Sequence, residues 1–399
     1  MRCKSIIITV LLALAVIAPT FSRSLPVGIP ILIDLSHGQS YNGIDIMMKV
    51  VPEAEWYILV SSEEDIEALP DSVKYLATSI LVGDFSTIDL EKLLIAMVII
   101  GQPQSPLKPE EVTALATWIK STSDKVPLRV LWIATDSDYP AQGSEQAQET
   151  GNILLEAIGA RVRFDYVSIE DTVSNAGGAG YRVVAIVNPD PEVAVLGYAA
   201  EKVLFHGPGP IAWVDDNGNW HKLTKDDKPD NVYIVATTTE NSLVKENQGP
   251  PQGREGNIYT PKDSGTVITL MAIEKIPVDG AENIVIVSGE TPYGGYQPGV
   301  SWKYYDKVLD GPRFFRNVVL WSTEYMGELK EYASIASTIK TVESSVETVN
   351  TQIQDVSTQV ESVVSAISAV NSYAMGGLGL GVLALIIALV AVVLASKKK

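Results

Sequence analysis

Hydrophobic positions between about residues 332 and 371 repeat with a seven-residue period. The steps between successive apolar residues alternate between four and three, which is typical of a left-handed coiled coil. Isoleucine at both core positions favours more than two strands, so we predict a homo-oligomeric stalk, preferably a trimer. The alternative is a lone amphipathic helix folded back on the rest of the chain. The core positions are all Ile or Val: Ile335, Ile339, Val342, Val346, Val349, Ile353, Val356, Val360, Val363, Ile367 and Val370.

An uncharged apolar run of twenty residues, 376–395, follows the heptads. At 1.5 Å per residue it would form about 30 Å of helix, the thickness of a bilayer core. Lys397, Lys398 and Lys399 follow it directly. Because positive residues stay on the cytoplasmic side, we predict a single-pass cell-membrane protein with a cytoplasmic C-terminus and the preceding domain outside.

A shorter apolar run, Ile6 to Ala18, follows a basic start and precedes small polar residues. This is the pattern of a secretory signal peptide over residues 1–24. The alternative is an uncleaved N-terminal anchor. Both ends of the chain therefore predict the same topology.

Between the two ends, short apolar runs alternate with amphipathic segments. The runs predict strands at 29–35, 56–60, 97–100, 129–134, 161–167 and 284–288, and the segments predict helices at 109–121, 145–158 and 313–321. Repeated strand–helix–strand units are typical of an α/β fold, with a doubly wound, mostly parallel sheet between helices.

Residues 205–275 are richer in Gly, Pro and Asn and show short strand patterns over 231–237 and 266–273. The run Asp216-Asn217-Gly218-Asn219 favours a hairpin turn. We predict a β insertion here. The predicted organisation is a signal peptide (1–24), an extracellular α/β domain (25–326), a coiled-coil stalk (327–372), a transmembrane helix (375–396) and a basic tail (397–399).

The composition narrows the function classes. A formal net charge of −18 argues against nucleic-acid binding, because phosphate contacts require a positive surface. The single cysteine, Cys3, lies in the predicted signal peptide. A mature chain would then have no disulfide, no cysteine-ligated zinc and no cysteine nucleophile.

Polar clusters follow four of the predicted strands. In an open α/β sheet, the carboxyl ends of parallel strands form one edge, here called the crest, where ligands bind. We predict a ligand-binding site there and no cofactor. Its candidate residues are Asp34, Ser36, His37 and Gln39 after the first strand, Gln102 after the third, Asp136, Ser137 and Asp138 after the fourth, and Glu290 and Tyr293 after the last.

Three interpretations of the crest compete. Capping and turn residues would account for most of its Asp, Ser and Gly without any chemistry. A serine hydrolase would use Ser36, Ser137 or Ser288 with His37 or His206 as base, but no Gly-x-Ser-x-Gly elbow is present. In an extended segment Ser36 and His37 would point apart, and we interpret Phe205–Pro210 as a rigid turn.

A divalent metal could take the carboxylates of the crest as hard oxygen ligands. These are Asp34, Asp136, Asp138 and Glu290. Their spacing matches no known metal-binding loop, so we predict no metal site.

Several diffuse motifs within 27–325 resemble one superfamily. They are Asp34-Leu35-Ser36-His37, Ile99-Ile100-Gly101-Gln102-Pro103, Leu107-x-Pro109-Glu110-Glu111, Asp136-x-Asp138, Asn152-Ile153-Leu154-Leu155 with Ile158-Gly159, and Asn317-Val318-Val319-Leu320-Trp321. The chain resembles the glutamine-amidotransferase-like superfamily, and within it the non-catalytic branch. That branch includes gliding-motility and ABC-transport auxiliary proteins, intraflagellar-transport relatives and the oligosaccharyltransferase accessory subunit. The overall build also resembles archaeal cell-surface proteins.

Catalytic members of that superfamily use a cysteine nucleophile, which the predicted mature chain lacks, so the resemblance does not imply amidotransferase activity. We expect a non-enzymatic cell-surface protein that binds a partner protein or a small ligand on the crest and oligomerises through its stalk. One alternative is an accessory subunit of a membrane transport or glycosyl-transfer complex. A second is a surface serine hydrolase.

Overall fold

A computed structural model describes residues 28–126, 128–140, 144–325 and 327–396. The predicted signal peptide over 1–24 and the lysines at 397–399 lie outside the described residues. The chain divides into two units, of which the first ends at Tyr332 and the second begins at Ala333.

The first unit carries the strands, most of which are short and apolar. In chain order they are β1 (Ile29–Asp34), β2 (Ala54–Val60), β3 (Ser79–Val82), β4 (Met97–Ile100), β5 (Val130–Ala134), β6 (Val162–Phe164), β7 (Ser168–Asp171), β8 (Arg182–Val187), β9 (Lys202–His206), β10 (Ile211–Val214), β11 (Trp220–Lys222), β12 (Val232–Thr237), β13 (Ser242–Lys245), β14 (Thr269–Val278), β15 (Ala281–Ser288), β16 (Lys303–Tyr304) and β17 (Lys307–Val308).

Helices alternate with the strands in the first part of the chain and close it at the end. They are α1 (Ile44–Val50), α2 (Glu63–Ala68), α3 (Asp71–Leu76), α4 (Pro109–Ile119), α5 (Glu145–Ile158), α6 (Gly311–Ser322) and α7 (Gly327–Ser396). Local chemistry sets several ends. Ser62 and Asp65 form a capping box at α2, the Ser144 hydroxyl caps α5, and Gly159 ends α5 with a left-handed φ of 82°.

Ten strands form one central sheet in the order β3-β2-β1-β4-β5-β15-β14-β12-β8-β9. The six strands from β3 to β15 are parallel, and the remaining pairings are antiparallel. Every residue of β4 and β5 is buried, as expected for parallel strands covered on both faces. The predicted α/β class with a mostly parallel central sheet is confirmed.

Two groups of helices cover the faces of the sheet. Helices α4 and α5 pack on one another over a core that includes Leu131. Helices α1 and α6 pack together, and Trp132 stacks on Phe315 of α6 with ring centroids 5.8 Å apart. Because successive strand residues point to opposite faces, Leu131 and Trp132 contact different groups.

The strands of the predicted β insertion, residues 205–275, divide between the central sheet and smaller sheets outside it. β12 and β14 belong to the central sheet, because their nearly continuous apolar runs suit interior strands that are buried on both faces. The predicted hairpin turn at 216–219 is confirmed, since it joins β10 to β11. The predicted strand at 161–167 is shortened to β6 and joins that hairpin in a three-stranded sheet outside the central one.

Helix α7 is unbroken over 70 residues and contains the whole heptad segment. The side chains of the heptad stripe from Ile335 to Ile367 are 50–60% exposed in the single chain. Val370, the last of the stripe, has a side chain outside the described set. The coiled coil therefore stays a prediction.

Over the described part of the chain, no helix combines the length and apolarity needed to cross a membrane. Several side chains of the predicted span 376–395 lie outside the described set, namely those of Gly376, Leu378 and residues 392–395.

Candidate functional site

The crest lies at the carboxyl ends of the parallel strands. Strand β9 also ends there, because the four successive antiparallel pairings from β15 to β9 return it to the direction of the parallel set. A groove of about 370 Å³ opens on this edge. Its lining is polar but uncharged, with three glutamines among Gly38, Gln39, Ser40, Gln102, Gln104, Tyr293, Gly294, Gly295 and Tyr296.

Tyr293 fixes the floor of the groove. Its buried hydroxyl donates to the Asp34 carbonyl oxygen of β1 and accepts a 2.9 Å hydrogen bond from the Gly101 N–H after β4. A Cβ at Gly101 would lie 2.8 Å from the Tyr293 ring, so only glycine allows this approach. Burial raises the pKa of Tyr293 well above its usual range, which keeps the hydroxyl protonated as a donor. These two hydrogen bonds link the segment after β15 to the ends of β1 and β4.

Behind the groove, His37 lies between two buried carboxylates. Its Nδ1 is 2.8 Å from Asp34 Oδ2, and its Nε2 is 3.2 Å from Glu111 Oε1. Gln39 completes the network, because its amide donates to Asp34 Oδ2 at 2.7 Å and its Oε1 accepts the His37 N–H. The imidazole also stacks on Phe85. Each polar group of this network therefore has a partner.

The charge of His37 follows from these contacts. Burial lowers the pKa of the imidazole, but the hydrogen bonds and charges of Asp34 and Glu111 outweigh burial and raise this pKa to about 10. His37 is therefore an imidazolium at neutral pH. A protonated imidazole has no free lone pair, so it cannot serve as a general base.

Ser36 does not form a hydrolase triad with its neighbours. Its hydroxyl donates to Asp34 Oδ1 at 2.6 Å and lies 3.1 Å from His37 Nδ1. The expectation that Ser36 and His37 point apart is wrong, because the chain turns immediately after β1. In a triad, however, serine and aspartate use opposite ring nitrogens, whereas here both lie at Nδ1.

Asp136 and Glu290 form a second, deeper cluster. Both carboxyl groups are fully buried at the ends of β5 and β15. The backbone N–H of Ser137 donates to Asp136 Oδ1 at 2.9 Å, and Glu290 accepts from the backbone N–H groups of His206 and Thr291. Burial raises the pKa of both groups, and the charge of Asp136 raises that of Glu290 further. The interior therefore disfavours the charged form of both groups.

Asp138 and Ser137 have structural contacts. The Asp138 carboxylate accepts the backbone N–H groups of Gln248 and Gly249 and the side-chain amide of Asn247, at 2.7–2.9 Å. These bonds fix the polar loop after β13 against the crest. The Ser137 hydroxyl accepts the Tyr139 N–H at 3.3 Å.

His206 lies at the end of β9 and is only 2% exposed. Among the described residues, neither ring nitrogen has a hydrogen-bond partner. The ring is instead surrounded by aromatic groups, with Tyr296 at 5.0 Å, Tyr181 at 5.5 Å and Tyr304 at 5.7 Å between centroids. Burial lowers the pKa of His206 to about 4, and Arg182 adds to this effect, so the imidazole is neutral. The sequence interpretation of Phe205–Pro210 as a plain turn missed this placement.

The predicted candidates thus fall into distinct places at one edge. Gln39, Gln102 and Tyr293 line the groove, and Asp34, Ser36 and His37 lie behind it. Asp136 and Glu290 are buried beside His206, and Ser137 and Asp138 hold a loop. Sequence reasoning missed Glu111, although its position three residues into a helix opened by Pro109 marks it as a capping glutamate.

A metal ion is not suggested by this arrangement. Within the described ranges, no group of three or more His, Cys, Asp or Glu side chains is placed to hold one. The four carboxylates considered as ligands lie in three places: Asp34 bonds to His37, Asp136 lies with Glu290, and Asp138 accepts backbone N–H groups of the loop after β13.

A larger cavity of about 500 Å³ lies at the opposite edge of the sheet. Its cations already have partners, since Lys120 donates to the Ala157 carbonyl and Arg161 pairs with Asp216. We therefore place the candidate site at the crest, where polar groups converge, and not in the larger cavity.

No family model matches the chain, and no curated protein matches it. Among solved structures, the chain is similar to one described as "mmIFT52 N-terminal domain". The likeness covers 74% of this chain and 97% of that chain, at 11% sequence identity and a TM-score of 0.43. At this distance it carries no argument, so the functional reasoning rests on the residues described above.

Proposed function

We propose that the chain is a non-enzymatic, membrane-anchored cell-surface protein whose α/β domain binds a partner or small ligand in the crest groove. The observation that carries the proposal is the contrast between the groove and the groups behind it. The groove presents the exposed side chains of Ser40, Gln104 and Tyr296 to solvent. The titratable groups behind it are buried and bonded to one another, which suits recognition better than proton transfer.

We further propose that this domain is an amidotransferase-like scaffold of the non-catalytic branch. The parallel half of the sheet and the placement of the only cysteine, Cys3, ahead of the domain support this inference. The uncharged run 376–395 and the three lysines after it support single-pass anchoring with the domain outside. The exposed Ile and Val stripe of α7 supports self-association.

The groove assignment can be tested by narrowing the groove. Ser40 is exposed and lines it, so Ser40→Tyr would fill part of its volume. The full chain is purified in mild detergent from its native membranes and analysed by native mass spectrometry for bound species. We expect a species bound to the unaltered chain to be lost, or reduced at least tenfold, in Ser40→Tyr.

Thr122→Tyr is the matched control, because Thr122 is an exposed residue of the loop after α4 that does not line the groove. It should retain the species. Equal retention by both variants would overturn the groove as the binding site. Loss from both, with an unchanged circular dichroism spectrum, would also count against it, since the effect would not depend on the groove.

A further inference from the structure

A cluster of basic and aromatic side chains lies beside the groove, at the edge of the central sheet. Arg182 and His206 are direct partners in the antiparallel β8–β9 pair. Directly paired residues project from the same face with Cβ atoms about 5 Å apart. Tyr296 links this cluster to the groove, because it lines the groove and also packs on the His206 ring.

The guanidinium of Arg182 packs among tyrosine rings. It lies 4.1 Å from the ring centroid of Tyr305, 5.1 Å from that of Tyr181 and 6.0 Å from that of Tyr304. Over the described ranges, no acidic side chain forms an ion pair with it, and its buried Nε has no hydrogen-bond partner. In a chain of net charge −18, an arginine in this state is available to an anion from outside.

His206, unlike Arg182, calls for a ligand that can form hydrogen bonds with its ring nitrogens. A neutral imidazole has one N–H donor and one acceptor nitrogen, and both are buried here without partners in the described structure. An unpaired buried polar group carries a desolvation penalty that a hydrogen-bonding ligand relieves. A hydroxyl group satisfies either nitrogen, because it can both donate and accept.

The aromatic rings offer open faces. Tyr181, Tyr296 and Tyr305 are 42%, 64% and 54% exposed. Tyr305 has a left-handed φ of 48°, which is uncommon for a residue other than glycine. Its ring packs on Gly177, where a Cβ would lie 2.9 Å from Tyr305 Cγ. The turn is therefore shaped to hold this ring beside Arg182.

We propose that this cluster binds an acidic sugar, with the sugar carboxylate on Arg182, ring C–H groups on the tyrosine faces and a hydroxyl on His206. Tyr296 covers His206, so it moves aside when the sugar enters. The inference rests on the proposed function and names a ligand class for that same crest.

The chemistry favours an acidic sugar over a bare anion. Phosphate is bound best by several donors or cations together, whereas this cluster has one guanidinium and a neutral imidazole. Electron-rich ring faces add attraction for the weakly positive C–H groups of a sugar, and they have little to offer a phosphate.

The test uses the full-length chain in detergent and isothermal titration with glucuronate, glucose and inorganic phosphate. We expect glucuronate to bind with a Kd on the order of 1 mM, and glucose at least tenfold more weakly. Arg182→Gln should reduce glucuronate affinity to the level of glucose. Arg161→Gln, which removes a guanidinium already paired with Asp216, should leave it unchanged.

His206→Phe separates binding from folding. It removes both unpaired nitrogens, so the melting temperature should stay equal or rise while glucuronate affinity falls at least tenfold. The acidic-sugar assignment would be overturned by equal binding of glucose and glucuronate, or by phosphate binding more tightly than glucuronate. Unchanged glucuronate affinity in Arg182→Gln or in His206→Phe would also overturn it. The Ser40→Tyr experiment measures the native bound species and not glucuronate binding. The groove proposal and the acidic-sugar proposal can therefore fail independently of one another.

Discussion

The carboxyl groups of Asp136 and Glu290 lie together in the protein interior, where burial disfavours their charged forms. Asp136 and Glu290 are fully buried, and burial raises the pKa of both above their ordinary values of 3.8 and 4.5. The folded state therefore holds protons that the unfolded state releases above about pH 4. The stability that the pair contributes is complete below that pH and declines as pH rises toward the folded-state values.

Asp136→Asn should remove this dependence. The asparagine oxygen can still accept the Ser137 N–H, and its neutral amide removes the charge that raises the pKa of Glu290. At pH 8 we expect the free energy of unfolding of Asp136→Asn to exceed that of the unaltered chain by about 1–2 kcal/mol, with a smaller difference at pH 4.5. Denaturant titrations at the two pH values measure it.

The same substitution two residues away is the control. Asp138 uses its carboxylate oxygens to accept two backbone N–H groups and an amide, so Asp138→Asn should destabilise the fold at pH 8. If Asp136→Asn proves destabilising to a similar extent, a buried charge at Asp136 does not limit the stability of the fold at pH 8.

The pKa of His37 is also raised, but here the neighbouring groups favour the charged form of the side chain. Because its pKa rises from 6.5 to about 10, the folded chain binds an extra proton between these values. This contribution to stability is fully present below pH 6.5 and is lost as pH rises through 10.

Glu111→Gln should lower the pKa of His37 toward its ordinary value and destabilise the fold by about 1–3 kcal/mol, because a charged partner is lost. The ring C–H resonances of His37, followed by NMR against pH, report the pKa directly. Glu110→Gln alters the exposed neighbour of Glu111 and should leave the pKa unchanged. A His37 that titrates near 6.5 in the unaltered chain would contradict the imidazolium.

The sequence predicted the polar residues of the crest but not their partners. Asp34, His37 and Gln39 could be placed because they follow an apolar strand. The burial of Glu111 and of His206 could not, because Glu111 contacts His37 and His206 packs on Tyr296, each more than 70 residues away in the chain. Contacts over such separations leave no local pattern.

At the scale of elements, the sequence predicted which strands are buried better than it predicted which strands pair with each other. The continuous apolar runs of β1, β4 and β5 indicate burial on both faces, so their place in a parallel sheet follows from sequence. β12 and β14 are similarly apolar. The segments between the strands of this region, however, are rich in Gly, Pro and Asn, and this led us to predict a β insertion. An apolar run indicates burial without indicating the neighbouring strand.

Helix α7 shows how a sequence rich in Ser and Thr can remain helical. Several of its hydroxyls donate to the carbonyl four residues earlier, as Thr341 does to Ser337 and Thr351 does to Glu347. Such bonds satisfy the hydroxyl locally but add little helix stability. We therefore expect the Ile and Val stripe to supply the stabilisation through association.

A charge in the stripe should disrupt that association. We expect the full chain in detergent to sediment as a trimer at micromolar concentration, and Val349→Glu to shift it toward monomer, because an unpaired carboxylate would be buried in the seam. Thr351→Glu places the same charge on an exposed position away from the stripe and should leave the trimer intact. A monomeric unaltered chain would refute the stalk.

At the scale of the whole molecule, charge limits the range of partners. A net charge of −18 repels nucleic acid and anionic lipid from most of the surface. Arg182 is a local exception, because its guanidinium packs on tyrosine rings and forms no ion pair within the described residues. We therefore expect the negative charge of the remaining surface to repel an anionic ligand, which leaves this edge of the domain as its binding place.

The position of β15 has a consequence for synthesis. This strand lies between β5 and β14, yet it is the last strand of the central sheet along the chain. Until residues 281–288 have emerged, β5 and β14 each present an unpaired edge with apolar faces, a state prone to aggregation. The domain can be completed only late in translation, so we expect the nascent chain to need protection by a chaperone until that strand inserts.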